Sequence, residues 1–590
     1  MSEAAAGPTP RPTSQPPPGA GARPVLRNGL LLAGLFLLAL LPRLHGAITV
    51  GWGWDGPGSF NLVNFDEGGA CRAALGGFDY PAFVGWQTLG LAALAGVEPA
   101  PGTAGDAARA KAFCHGAGHL VVARAWSALL GALTVPVLVL IGWQLRPEAP
   151  GIGLVAGALL ALSGFHAAES FSGTVDAASV FFIYLFLAVL AAGAGGRRSA
   201  LLASPLFLAA AVATKYWLFA ALAYAGLVGG RVLAACLRGF TPLRLAVTLL
   251  GAGLVFALAS NSELPRPAGY LWLLPWYLLP PWRRLHPWLR LPWALLPPLA
   301  VALTQWDLFA AWSTGALEGR FGSGYGAIGW HKFLRNPLDL LLVLVVGLGL
   351  PACLCLPAGI ASLRDGPPRA RAWRVVLYPV AAFALYLAFL APVTYYRHFL
   401  PLLPAAALLA ACGLWRVAGR WRGWVIAGCL GWSALLAFDT VADYHRDPRI
   451  ALRGWYAEAR PQRVFASFYV NPPAGTARHA LFRPAYAAGA PPGLGWAEYL
   501  VLSENWYDTA FANELNGPLT GRPERLVKTT PARARFYRRA LAGEDPRLQP
   551  VRLFPVRNFM PELVLHKAFY GTFQLFVGDI AVFRIREPGQ

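Results

Sequence analysis

Five separated segments of this 590-residue chain carry side chains suited to acid–base or phosphate chemistry. The first is Asn64-Phe65-Asp66-Glu67-Gly68-Gly69, two adjacent carboxylates flanked by an aromatic residue and two glycines. A carboxylate so placed can accept a proton from an attacking hydroxyl; an ordinary solvated acidic pair has the same sequence. The second runs from Ser163 to Asp176 and holds His166, Glu169 and Asp176. Glu169 and Asp176 stand seven residues apart and would share a face of a continuous helix, which Gly173 interrupts. Asp176 opens a long apolar run, where an ionised carboxylate costs a few kcal/mol and calls for a cavity or a partner, although a helix N-cap would also account for it. The third is Thr214-Lys215-Tyr216-Trp217, a lysine between two apolar runs, suited to a phosphate or to snorkelling. The fourth is Thr394-Tyr395-Tyr396-Arg397-His398-Phe399, where Arg397 can grip a phosphate with two parallel bonds, or anchor an aromatic belt. The fifth, Glu318 to Gly326 with His331 just beyond, is glycine-rich and reads as a lid or a connector.

The elements that must position these groups are transmembrane. Hydrophobic residues make up 56% of the chain and charged residues only 13%, half the roughly 25% of a soluble domain, and the mean hydropathy is +0.47. Such a chain cannot cover its surface with polar groups, so it is a polytopic membrane protein. The net charge of +21 does not indicate nucleic acid, because the basic residues fall in short clusters between apolar runs. Only five of the 50 basic residues are lysine, and Gly (64) and Pro (50) are abundant, a composition that hints at a GC-rich bacterial genome and so at a bacterial inner membrane.

About thirteen spans are expected, near 28–49, 119–142, 151–165, 173–195, 200–214, 216–235, 244–260, 268–281, 291–306, 338–361, 374–391, 397–415 and 423–440. With the N-terminus in the cytoplasm, Arg146, the pair Arg197 and Arg198, Arg238, and the clusters Arg283–Arg290, Arg364–Arg371 and Arg416–Arg422 all fall in cytoplasmic connections. Residues 1–24, rich in Pro, Ala, Gly and Ser, read as a disordered cytoplasmic tail. A membrane domain then occupies 25–440, with external loops at 50–118 and 307–337. Residues 441–590 read as an extracytoplasmic mixed α/β domain, from the alternating segments Val464–Val470, Tyr499–Ser503 and Ile580–Ile585. All five chemical segments map to the external face. Cys71 and Cys114 share the first external loop, and form either a disulfide or two separate thiols.

These residues resemble those of the dolichyl-phosphate-mannose–protein mannosyltransferase-like and lipid A aminoarabinose transferase-like GT-C glycosyltransferases. The resemblance lies in Asp66-Glu67, Tyr80-Pro81, Ala123-Arg124, the segment Glu169-Ser170 to Asp176, Thr214-Lys215-Tyr216, Arg397 to Pro404, Arg453-Gly454-Trp455 and Tyr499 to Asn505. It implies a GT-C fold and an enzyme that uses a polyprenyl-phosphate-linked sugar on the extracytoplasmic face, usually with inversion. It also implies that Asp66 is the principal catalytic carboxylate. One departure is that Asp79-Tyr80-Pro81-Ala82 stands where the aminoarabinose transferases carry a lysine and two prolines. Lys215 and Arg397 must then supply more of the phosphate contact.

The expected reaction is displacement at a sugar C1 with a lipid phosphate leaving, which calls for a carboxylate near the carbon and cations on the phosphate. Asp66 would deprotonate or orient the acceptor hydroxyl, assisted by Glu67, while Lys215 and Arg397 take the phosphate. His166, Glu169, Asp176, Tyr396, His398 and His331 would support the site or bind substrate. A divalent cation (Mg or Mn) on Asp66, Glu169 and Asp176 is left open, since no dense ligand motif argues for it. The acceptor is a glycolipid, lipid A, a glycan or a protein. Membrane lipids are partners and nucleic acid is not. A polytopic lipid or sugar transporter or flippase is the rival reading, marked by charges deep in several spans and a repeat relating two halves; neither is seen in the sequence.

Overall fold

A computed structural model describes residues 22–215, 332–364, 370–389, 396–504 and 531–586, with gaps of one to four residues inside those ranges. His331 and the expected spans at 216–235, 244–260, 268–281 and 291–306 lie outside the described residues, and the run 200–214 is described only in part.

Among the described residues, five helices are long and apolar enough to cross a membrane, or up to seven if each of two bent pairs counts as one span. Thirteen spans are therefore not counted here. The chain is a multi-pass membrane protein with a mixed-sheet C-terminal region. Helix α1 (Ala22–Thr49) turns Leu30, Leu37 and Leu41 outward, as a lipid-facing helix does, and buries Ala39, Arg43 and Ala47. It packs on α5 (Ala117–Leu145), which also carries α8 (Asp176–Ala194). Between α2 (Gly69–Ala74) and α5 the first loop holds two more short helices, α3 (Phe83–Leu94) and α4 (Ala107–Cys114). A disulfide joins Cys71 to Cys114 and so ties α2 to α4.

Two breaks interrupt the expected straight spans. Helix α6 (Pro150–Ala161) meets α7 (Gly164–Ser170) at 62°. Ser163 caps α7 by accepting from the His166 amide, while Arg43 donates to the Leu160 and Ala161 carbonyls at the end of α6. Helix α9 (Lys332–Leu348) is followed by α10 (Leu350–Leu354) and α11 (Leu356–Ala361), and the bend between them is 119°. Gly349, at φ +85°, makes that turn. The chain continues through α12 (Ala370–Phe389), a 3-10 turn at Tyr396–Leu402, α13 (Leu403–Val417), α14 (Arg422–His445) and α15 (Pro448–Ala459).

The basic connections among the described residues gather at one end. Arg146 donates to the Ser362 carbonyl and lies over the Trp373 ring, and Arg422 lies over Trp415, which abuts Gly151.

The C-terminal region builds one five-stranded sheet in the order β2-β1-β3-β5-β4, from β1 (Arg463–Ala466), β2 (Arg478–Leu481), β3 (Tyr499–Ser503), β4 (Leu548–Phe554) and β5 (Ile580–Ile585). Strands β2, β1 and β3 run parallel, and β5 pairs antiparallel with both β3 and β4. Strict alternation assigns the faces. Phe465, Leu500, Leu502, Ala581 and Phe583 pack in one core with Tyr537 and Ala540 of α16 (Pro531–Leu541). Val464, Ala466, Val501, Ile580 and Val582 pack in another with Leu452, Trp455 and Tyr456 of α15. A last helix, α17 (Pro561–Tyr570), separates β4 from β5.

Candidate active site

The first loop leaves α1 and folds into a tight turn at Asn64–Glu67. The Asn64 side chain accepts from the Asp66 amide at 3.0 Å and the Asn64 carbonyl accepts from the Glu67 amide at 3.1 Å. Gly68 follows at φ +75°, and a Cβ there would meet the Cys114 carbonyl oxygen at 2.7 Å. The turn is therefore wedged against the disulfide-bonded helices, and it sends its two carboxylates in opposite directions.

Glu67 points inward and is fully buried. Its Oε1 accepts from Arg124 Nε at 2.7 Å and from the Gly173 amide at 2.8 Å; its Oε2 accepts from Arg124 Nη2 at 2.8 Å and from the Val63 amide at 2.7 Å. Arg124 spends its remaining donors on the Val50 and Asn61 carbonyls and lies over the Phe60 ring. This knot fastens the loop to α5 and to the segment before α8.

Asp66 points the other way, into a chain of alternating charges. Arg397 donates to Asp66 through Nη2 and to Asn64 Oδ1 at 3.2 Å, and its Nε lies 3.9 Å from Asp176. Lys215 Nζ lies 2.5 Å from the other oxygen of Asp176. Side-chain exposure is 13% for Asp66, 10% for Arg397, 5% for Asp176 and 21% for Lys215, so the chain opens toward solvent at both ends. Glu169, on α7, interacts electrostatically with all four, and His398 with Asp176. Residues 66, 176, 215 and 397 thus meet from four separate segments.

Other expected site residues lie to the side. His166 is buried below the chain, where its Nδ1 accepts from Arg43 Nη2 at 3.0 Å. Arginine can only donate, so the His166 proton sits on Nε2. The Tyr396 hydroxyl meets His566 Nε2 at 2.9 Å. The Tyr396 ring stacks on Phe573. Sequence reading gave Asn64, Arg43 and His566 no role. The signal for Arg43 was present, a charge inside the first apolar run; His566, 170 residues from its partner, left none.

Among the described residues no group of three His, Cys, Asp or Glu is arranged to hold a metal, and Asp66 and Asp176 already share Arg397.

The first loop also reaches the C-terminal region. Arg453 Nη1 donates to the Gly53 carbonyl at 2.5 Å, and Arg449, bonded through Nε and Nη2 to Asp447, lies over the Trp54 ring at 4.0 Å. Burial pushes the neighbouring Asp55 carboxyl up to about 6, with Arg449 opposing.

No family model and no curated protein matches the sequence. Solved structures similar to the chain include ArnT from Cupriavidus metallidurans bound to undecaprenyl phosphate, with 17% identity over 75% of this chain and 73% of that one and a TM-score of 0.38. The apo state of the same protein has 16% identity over 74% and 73%, with a TM-score of 0.39. The Archaeoglobus fulgidus oligosaccharyltransferase tethered with an acceptor peptide has 13% identity over 84% of this chain and 72% of that one, with a TM-score of 0.44.

Proposed function

We propose that this chain is a GT-C-type membrane glycosyltransferase that moves a sugar from a polyprenyl-phosphate donor to an acceptor hydroxyl on the side of the C-terminal domain, with inversion at C1. The observation that carries the reading is the chain Asp66–Arg397–Asp176–Lys215, two carboxylates and two cations at the end of the molecule opposite the basic connections. In the reaction the acceptor oxygen bonds to C1 as the bond from C1 to the phosphate oxygen breaks, and the acceptor proton passes to Asp66. Arg397 and Lys215 hold the departing phosphate.

The same chain supports an order of events. Without substrate both cations are neutralised by carboxylates. A phosphate group offers Arg397 a better bidentate partner than Asp66. Its arrival draws the guanidinium away and frees the Asp66 carboxylate to accept a proton. Glu67, saturated by Arg124 and the amides of Val63, Asn64 and Gly173, acts by positioning the turn. The orientation that fits has the N-terminus in the cytoplasm and the site on the extracytoplasmic face of a bacterial inner membrane. The acceptor class (glycolipid, lipid A, glycan or protein) is the finer part of the proposal.

The test is reconstitution in vesicles with polyprenyl phosphate carrying a radiolabelled sugar and an envelope extract as acceptor. Label should move to the acceptor, and Asp66→Asn should cut that transfer by about 10²–10⁴-fold. Translocation of intact donor without transfer would make the protein a flippase, and full activity in Asp66→Asn would remove the proton-acceptor assignment.

A further inference from the structure

Helix α17 comes late in the chain, between two strands of the sheet, yet it does not pack on the sheet. Met560 and Leu563, at 4% and 1% exposure, belong to the core of the transmembrane helices together with Phe573. The polar groups around it are bound to those helices as well. Asp439 of α14 accepts from the amides of Phe559 and Met560, both at 2.8 Å, and Asp443 accepts from Asn558 at 2.8 Å. Glu562 accepts from Trp432 Nε1 at 2.6 Å and from the Leu350 amide at 3.0 Å, the group exposed by the break after α9.

These contacts fix a depth. Trp432 lies ten residues into α14, about 15 Å from its start at 1.5 Å per residue. Asp439 stands about 10 Å further along. The hydrocarbon layer is about 30 Å thick, so residues 559–562 descend from near its boundary to near its middle. Backbone at that depth must find its partners within the protein, and Asp439 supplies them.

The outer face of α17 is apolar. Pro561, Val564, Leu565 and Ala568 are exposed at the i, i+3, i+4, i+7 spacing of one helix face, with Val564 at 46% and Leu565 at 58%. Phe559, 53% exposed, lies 6.4 Å from Phe438 of α14, itself 62% exposed on the lipid side of its span. Lys567, the basic residue of this helix, turns away to Asp579 at 2.7 Å. The exposed face is thus continuous with the lipid-facing surface of α14.

We propose that α17 and Phe559 lie within the membrane leaflet on the side of the C-terminal domain, and that lipid acyl chains cover Val564 and Leu565. The C-terminal region then rests in the bilayer, and the helix that holds Tyr396 through His566 is bathed in lipid. This inference is independent of the proposed reaction.

The test places a photoreactive benzoylphenylalanine separately at 564 and 565 in the full chain, reconstituted in phosphatidylethanolamine–phosphatidylglycerol vesicles with tritiated acyl chains. Position 435, 53% exposed on α14, is the lipid reference. Position 549, exposed at the far end of β4, is the water reference. Each variant is required to elute as the parent does before labelling. Lipid labelling at 564 or 565 should equal that at 435 and exceed that at 549 by tenfold or more. Labelling at the level of 549, or cross-linking to a second copy of the chain, would overturn the proposal.

Discussion

Asp66 and Glu67 are joined by one peptide bond, yet their surroundings differ in burial and in partners. Glu67 is sealed from water, meets one arginine side-on and has both oxygens filled by N–H groups. Asp66 is partly open, and its guanidinium partner also reaches Asn64 and Asp176. A saturated pair has nothing to gain from exchange, because breaking it strands a buried charge. A shared cation at a solvent edge can move to a new anion at little cost. Neighbours in sequence are thus divided into a fastening and a reactive group by the direction a turn gives each.

The largest effects test that division. Glu67→Gln leaves Arg124 charged and unmatched in the interior and should destabilise by about 3–5 kcal/mol, read as a lower thermal midpoint of the solubilised protein. Asp66→Asn should cost less than that, because Arg397 keeps Asp176 and Asn64 as partners, and it should lose transfer. Exchanged outcomes, with Glu67→Gln stable but inactive, would reverse the roles of the two carboxylates.

Next is the disulfide, which supports both carboxylates by holding α2 against α4 across a separation of 43 residues. Loop-closure entropy sets its contribution at about 2–4 kcal/mol. Replacing Cys71 and Cys114 together by serine should lower the midpoint accordingly, and transfer should fall with the folded fraction. Loss of transfer at an unchanged midpoint would show that the bridge serves Asp66 alone.

Arg397→Lys is smaller. It keeps the charge but cannot reach Asp66, Asn64 and Asp176 at once. Loss of one charge-assisted bond, about 1.5–3 kcal/mol, predicts a KM for donor raised roughly ten- to a hundredfold. An unchanged KM would show that the fork geometry is not used.

Parts of this division were legible in the sequence and parts were not. Asp176, Lys215 and Arg397 stand out because each is a charge at the edge of an apolar run, and Asp66 because it adjoins Glu67 between an aromatic residue and two glycines. What separates Asp66 from Glu67 is the rotation of one turn, set by Asn64, Gly68 and a carbonyl of Cys114, which no local pattern encodes. Strands β1, β3 and β5 announce themselves by apolar alternation. Strand β4 hides because it is an edge strand, exposed along its middle, with Pro550 beside a register shift. The bends after α6 and α9 are hidden within apolar runs of ordinary span length. Helix α17 is too short to read as a span, and its partners Trp432 and Tyr396 are more than a hundred residues away.

Asp55 supplies the last and smallest test, as a third carboxylate of the same loop. Arg449, the cation that opposes its burial, already donates two bonds to Asp447, and burial holds the Asp55 carboxyl near 6 against about 3.9 when unfolded. Below about pH 4 both states carry the proton, and Asp55 does not affect stability. Between about 4 and 6 the folded state keeps a proton that the unfolded chain has released, so stability declines as pH rises. Above 6 the penalty is constant. Asp55→Asn removes it and should raise stability by about 1–2 kcal/mol at pH 7.5, less than the roughly 3 kcal/mol of the full shift because the group is partly exposed, with the gain shrinking to nothing near pH 4. A less stable Asn variant at pH 7.5 would mean that Arg449 outweighs burial. Asp55 would then be a fastening like Glu67, and the loop would be held to α15 by charge.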